Sequence, residues 1–152
     1  MNVFTFFSRY TNTFFLTILL LQHGTHCAGT IGAIGGNSVG VTSVLNKPDR
    51  FKFFIGKGLT NNGSGSCVNI LSAVQSCIDN GASVVSMSLG GCGPYDQAEQ
   101  FYKKHSSSVL IIAAAGNSGN GNKMYPASYE SVMSVAAVDI NGNRASFSQY
   151  NE

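Results

Sequence analysis

From residue 51 onward, short unbroken apolar runs alternate with segments in which apolar residues recur every three or four positions. FKFFIGKGL (51–59), SVVSMSLGG (83–91), VLIIAAAGNSG (109–119) and SVMSVAAVD (131–139) are the runs, and they predict strands. Cys67 to Asn80 predicts a helix with Ile70, Leu71, Val74 and Ile78 on one face, stopped by Asn80-Gly81. Tyr95 to about Ser106 predicts a polar helix, and residues 23–35 a helix of small residues. TNNGSGS (60–66) is loop, and Asn141-Gly142 is a turn before RASFS. Strand and helix in alternation predict an α/β fold with a parallel sheet. Apolar runs without in–out alternation predict strands covered on both faces. Ligands of such sheets bind beyond the carboxyl ends of the strands. Here those ends are SLGG and AAAGNSG, whose small residues let another backbone approach, such as an extended peptide adding as a strand.

The first 22 residues do not share this pattern. They carry one charge, Arg9, and an apolar run from Phe14 to Leu21, with no small-residue cleavage site after it. The segment 1–22 is therefore set apart, either as a signal-like leader or as sequence foreign to the fold. Residues 23–152 form the domain proper.

Composition narrows the class. The chain has 152 residues, 43% hydrophobic and 11% charged, with a net charge of +2. So weak and scattered a charge argues against a nucleic-acid partner. Low charge together with 18 glycines fits buried strands and tight turns rather than disorder. The four cysteines, at 27, 67, 77 and 92, contain no CxxC pair. Cys67 and Cys77 are ten helical residues apart, about 15 Å, beyond the roughly 7 Å reach of a disulfide.

Two of the three histidines, His23 and His26, lie three apart in HGTHCAGT, with Cys27 one turn on from His23. Half a metal site is one reading, but HExxH and an acidic or cysteine ligand cluster are absent, and no metal is assigned. Asn117 ends the run VLIIAAAG. Its amide can donate to charge developing on a carbonyl oxygen, or it can simply form a turn. Gly36-Asn37-Ser38-Val39-Gly40 fits G-x-S-x-G, but a helix precedes it and a loop follows, the wrong setting for a nucleophile elbow. GNSGNGNK (116–123) lacks the Ser or Thr of a phosphate loop after its lysine. Asn62-Gly63-Ser64 is a glycosylation sequon, consistent with a surface loop.

In this order, HGTHCAGT, VVSMSLGG, AAAGNSG and YPASYESVMSVAAVDINGNRASFSQY strongly resemble the subtilisin-like serine peptidases over about residues 23–150. The resemblance implies a doubly wound parallel α/β sheet of the subtilisin type, truncated at both ends. It implies His23 as general base and Asn117 as oxyanion-hole donor. His26 then becomes a packed structural histidine, and Cys27 a buried free thiol beneath the catalytic one. Ser88, Leu89 and Gly90 would form one wall of a substrate groove and Gly63, Ser64 and Gly65 the other. Ala114, Ala115 and Gly116 would line the pocket for the side chain before the scissile bond, with Met124 narrowing its base. Tyr125-Pro126 matches a cis-peptide position, and Cys67 and Cys92 would both sit near the groove as candidates for a bridge. Calcium belongs to the complete family domain, with Asn37 the nearest match to a ligand. The implied partners are a peptide or protein substrate and a prosegment; the complete form would be a secreted monomer.

The family's nucleophile, in Gly-Thr-Ser-Met-Ala, and its aspartate, in Asp-Thr-Gly, have no match in the 152 residues; the first aspartate is Asp49. The expectation is an incomplete piece of a serine endopeptidase, inactive alone, with open strand edges and apolar faces. The alternative is a non-catalytic relic that binds peptides through the retained groove.

Overall fold

The computed structural model describes residues 3–7, 22–45 and 51–150. The apolar run Phe14–Leu21 and Asp49 lie outside the described residues. The chain divides into two compact units, Met1–Val85 and Ser86–Glu152.

The first unit contains β1 (Val3–Phe7), α1 (Gln22–Gly32), β2 (Ile55–Lys57) and α2 (Cys67–Asp79); β3 (Val84–Met87) carries the chain into the second. α2 starts where Ser66, in extended conformation, caps it by accepting the Asn69 N–H at 3.1 Å. It ends at Asn80, whose side chain donates to the Ser76 carbonyl, and at Gly81 with φ +87°. Its buried residues are Ile70, Ala73, Val74 and Cys77, so the inward face is turned from the expected Leu71 and Ile78. The cause lies in β2. A Cβ on Gly56 would stand 2.8 Å from Cys77 Sγ and 2.9 Å from the Ala73 carbonyl, so the glycine draws that side of the helix inward.

β2 is shorter than FKFFIGKGL suggests. Phe51 and Phe53 stack edge to face at 5.1 Å, and they fill the place a side chain on Gly32 of α1 would need. α1 itself ends on borrowed partners: Val44 N–H donates to the Thr30 carbonyl, Leu45 N–H to Ile31, and Ser43 Oγ to Ala33. β1 pairs with β2 antiparallel (Phe4 opposite Gly56), a departure from the all-parallel expectation. No helix among the described residues is long and apolar enough to cross a membrane.

The second unit contains α3 (Asp96–His105), β4 (Leu110–Ala114) and β5 (Met133–Val135). α3 has Asp96 and Glu99 in its first turn and Lys103, Lys104 and His105 in its last, the order its dipole favours. It buries Ala98 and Tyr102, and the Tyr102 ring packs on Tyr129 at 5.5 Å. Burial pushes the Tyr102 hydroxyl well above its ordinary pKa. β4 and β5 are parallel, with Ala113 opposite Ser134.

Strands covered on both faces are not what is found here. β4 alternates, with Ile111 and Ala113 buried and Leu110 exposed, and all three residues of β5 are exposed. The reason is that a face reads as apolar whether or not the layer meant to cover it is among the described residues.

Candidate active site

In the first unit His23 and His26 lie on α1. The Cys27 sulfur is 3.9 Å from His23 Nδ1 and 4.0 Å from Nε2, as i and i+4 positions on a helix require. His23 is exposed. His26 is exposed too, which corrects its expected role as a packed histidine. The inward side of α1 is marked by buried Gly24, and His26 sits about 200° round the helix from it. Cys27 is a free thiol as expected, but half-buried rather than buried.

Gly63, Ser64 and Gly65 belong to a turn folded back on itself. Thr60 N–H donates to the Ser64 carbonyl at 2.7 Å, and Gly63 N–H to that of Thr60 at 3.1 Å. Asn62 Oδ1 accepts from Ser64 N–H. Lys57 to Asn61 and Asn69 line an open hollow of about 470 Å³; none of the predicted site residues borders it. Gly36–Gly40 is irregular backbone after α1, so no strand-to-helix elbow exists at Ser38. Asn37 Oδ1 accepts the Val39 N–H at 3.0 Å, closing a local turn. One asparagine oxygen does not make a calcium site, which takes about 6–8 oxygens. Among the described residues no group of three or more His, Cys, Asp or Glu could hold a metal.

The second unit holds the other predicted residues. Asn117 follows the carboxyl end of β4, as expected. Its side chain is exposed and makes no hydrogen bond among the described residues. It is thus free to donate. Gly116, just before it, has φ +114°, a conformation costly for any other residue. Ala115 N–H donates to the Val135 carbonyl at 2.9 Å, which ties the end of β4 to β5. Ser88, Leu89 and Gly90 follow β3, with Leu89 buried and Gly90 exposed. Met124 lies against Gly90: a Cβ there would stand 2.8 Å from Met124 Cγ. Gly91, φ +121°, donates its N–H to the Tyr125 carbonyl at 3.1 Å. The Tyr125–Pro126 peptide bond is cis.

The small residues at both strand ends do let backbone approach, but the approaching backbone is the protein's own. Gly90 and Gly91 meet Met124 and Tyr125. Gly119 N–H donates to the Phe147 carbonyl at 2.7 Å, and a Cβ on Gly119 would stand 2.6 Å from the Ser146 carbonyl. A Cβ on Gly121 would lie 3.2 Å from that of Tyr150. Sequence reasoning missed the partner segment 146–150, whose Ser148 and Gln149 are almost fully buried. The signal was available: glycines at 116, 119 and 121 are more than one turn needs.

Among the cysteines, Cys67 and Cys92 are disulfide-bonded, and Cys27 and Cys77 are free. Burial raises the Cys77 thiol to about 11, which keeps it protonated and inert.

A family model described as "Subtilase family" matches residues 20–152. The chain is 44% identical to Subtilisin Savinase of Lederbergia lenta over 129 residues, 84% of this chain and 46% of that protein. It is 42% identical to the "Thermostable alkaline protease" of Halalkalibacterium halodurans over 129 residues, covering 84% of this chain and 35% of that one. Among solved structures, the psychrophilic subtilisin-like protease Apa1 from the Antarctic psychrotroph Pseudoalteromonas sp. AS-11 matches with a TM-score of 0.78 and 45% identity. That match covers 86% of this chain and 30% of Apa1. The chain spans less than half the length of these curated relatives.

Proposed function

The chain belongs to the subtilase family, and from that premise we propose that it is the base- and oxyanion-bearing piece of a subtilisin-like serine endopeptidase. The reaction is acyl transfer of a peptide bond to water. His23 takes the proton of a serine and returns it to the leaving amine. Asn117 donates its amide to the oxygen that becomes negative in the tetrahedral intermediate. The observation that carries this reading is the Asn117 side chain, left exposed and unengaged at the end of β4 while the backbone around it is held. Removing such a donor costs about 3–4 kcal/mol, a figure that comes from a subtilisin.

Substrate pairs along Ser88–Gly90, and Gly63–Gly65 is the other stretch that the resemblance assigns to substrate. Ala114, Ala115 and Gly116 line the pocket for the side chain before the scissile bond, and Met124, which lies against Gly90, stands near its base. A prosegment is a natural second occupant of the groove. The setting is extracellular, and calcium belongs to the complete domain.

The serine and aspartate motifs have no match among the 152 residues, so the chain alone does not turn over. In a subtilisin, loss of the triad lowers kcat by about 10⁶. The test is a fluorophosphonate serine probe on the purified chain. No labelling is expected; labelling that disappears in His23→Ala would overturn this. The same missing motifs favour a second reading, a non-catalytic peptide binder. Sequencing the transcript on both sides separates the two: Asp-Thr-Gly upstream and Gly-Thr-Ser-Met-Ala downstream support the peptidase, and stop codons or frameshifts support the relic.

A further inference from the structure

Gln149 is a large polar side chain only 2% exposed, and a buried amide must find partners or destabilise the fold. It finds two, on opposite limbs of the loop that carries Asn117. Its Oε1 accepts the Ser118 N–H at 3.3 Å, and its Nε2 donates to the Asn122 carbonyl at 2.8 Å. These partners fix which end of the amide is oxygen, since Ser118 offers only a donor and Asn122 only an acceptor. The backbone joins in: Gln149 N–H donates to the Gly116 carbonyl at 3.0 Å and Tyr150 N–H to Asn120 at 3.0 Å. Ser148 anchors the segment from behind. Its hydroxyl accepts the Ala137 N–H at 3.0 Å, and its carbonyl accepts from Arg144 at 2.6 Å. Arg144 in turn lies over the Tyr150 ring, 4.3 Å from its centre.

Gly116 explains the remaining geometry. A Cβ there would collide with the Gln149 amide, so the residue immediately before Asn117 must be glycine for Gln149 to enter. The side chain therefore touches the loop at 116, 118 and 122, on both sides of Asn117.

We infer that Gln149 is a positioning residue: by bonding both limbs of the 116–122 loop it fixes where the Asn117 amide points. The catalytic meaning of that direction rests on the oxyanion role proposed above. The clamp itself does not. Donors held in place before reaction are what make such a site effective, because nothing has to reorganise when charge develops.

Gln149→Glu tests the inference with near-identical bulk. One carboxyl oxygen still accepts from Ser118. The other meets the Asn122 carbonyl, which it repels when ionised and to which it can donate when protonated. Amide hydrogen exchange and the Asn117 side-chain resonance are followed on the full chain by NMR. At pH 7 the variant is expected to lose protection at Ser118 and Gly119 by tenfold or more, and to shift or broaden the Asn117 amide signal. Both are expected to return at about pH 3.5, below the ordinary glutamate pKa of about 4.3. Gln149→Met, which keeps the bulk and loses both bonds, should lose protection at either pH. Ile111 and Ala113 amides in β4 report whether the fold survives; should Gln149→Glu unfold, Gln149→Met and its unchanged Asn117 signal or shifted one decide the matter. Wild-type protection at Ser118 and Gly119 with an unmoved Asn117 signal, in folded Gln149→Met, overturns the inference. No peptide or nucleophile enters the measurement, so its failure is distinct from labelling by the serine probe, which bears on the peptidase reading alone.

Discussion

The two units hold their candidate chemistry in opposite ways. His23, in the first, sits on an exposed face of α1 with the Cys27 sulfur beside its ring, and no carboxylate contacts it among the described residues. The neighbouring loop exposes Val39, Val41 and Val44. Asn117, in the second unit, stands in a loop bonded at 116, 118, 119, 120 and 122 to the segment 147–150. In the reading proposed above, the loop that carries the carbonyl donor is thus held by its own unit, whereas the base has no orienting carboxylate among the described residues. An imidazole without that partner has neither its tautomer nor its ring direction set.

The sharpest way to break this contrast is through the packing of each unit. Ile111→Ala, at a fully buried position of β4, is expected to cost about 2–5 kcal/mol. Ile34→Ala, at a position 57% exposed, should stay within about 0.5 kcal/mol. Urea unfolding of both variants checks it; equal losses would mean that the two units are equally well packed.

A smaller effect separates two glycines with positive φ. Gly36→Ala has open space and bears only the conformational cost, roughly 1–2 kcal/mol. Gly116→Ala bears that cost and also displaces Gln149, so it should lose more and release the protection of Ser118 and Gly119. Thermal unfolding with hydrogen exchange measures both.

The smallest effect concerns the two free thiols, both in the first unit. Cys27 should alkylate with iodoacetamide at pH 8 while Cys77 resists. Because folding raises Cys77 from 9.0 to about 11, its contribution to stability is full below pH 9 and is lost as the pH climbs towards 11. Cys77→Ala should remove that alkaline loss and leave the rest of the pH profile unchanged.

From α1 onward the order of elements was legible in the sequence, because apolar runs and helical periods survive whatever surrounds them. So was the placement of Asn117 at the end of β4. Two things were not. The inward face of α2 was misjudged because Gly56, 11 residues before the helix begins, decides which side comes close. The clamp on the Asn117 loop was missed because Gln149 lies 32 positions from Asn117 and looks like any surface glutamine until its burial is known. His26 shows the same limit in reverse: family likeness suggested packing, but which residues cover a helix face is a property of the tertiary structure.

The proposed carbonyl-recognising role of Asn117 beside Ser88–Gly90 is open to direct measurement. An NMR titration with a short peptide ending in alanine and a free carboxylate tests it most directly. Saturable shifts of the Asn117 side-chain amide are expected, together with those of the backbone amides of Ser88 and Gly90. Saturable binding that leaves Asn117 untouched, or no binding at all, would contradict it.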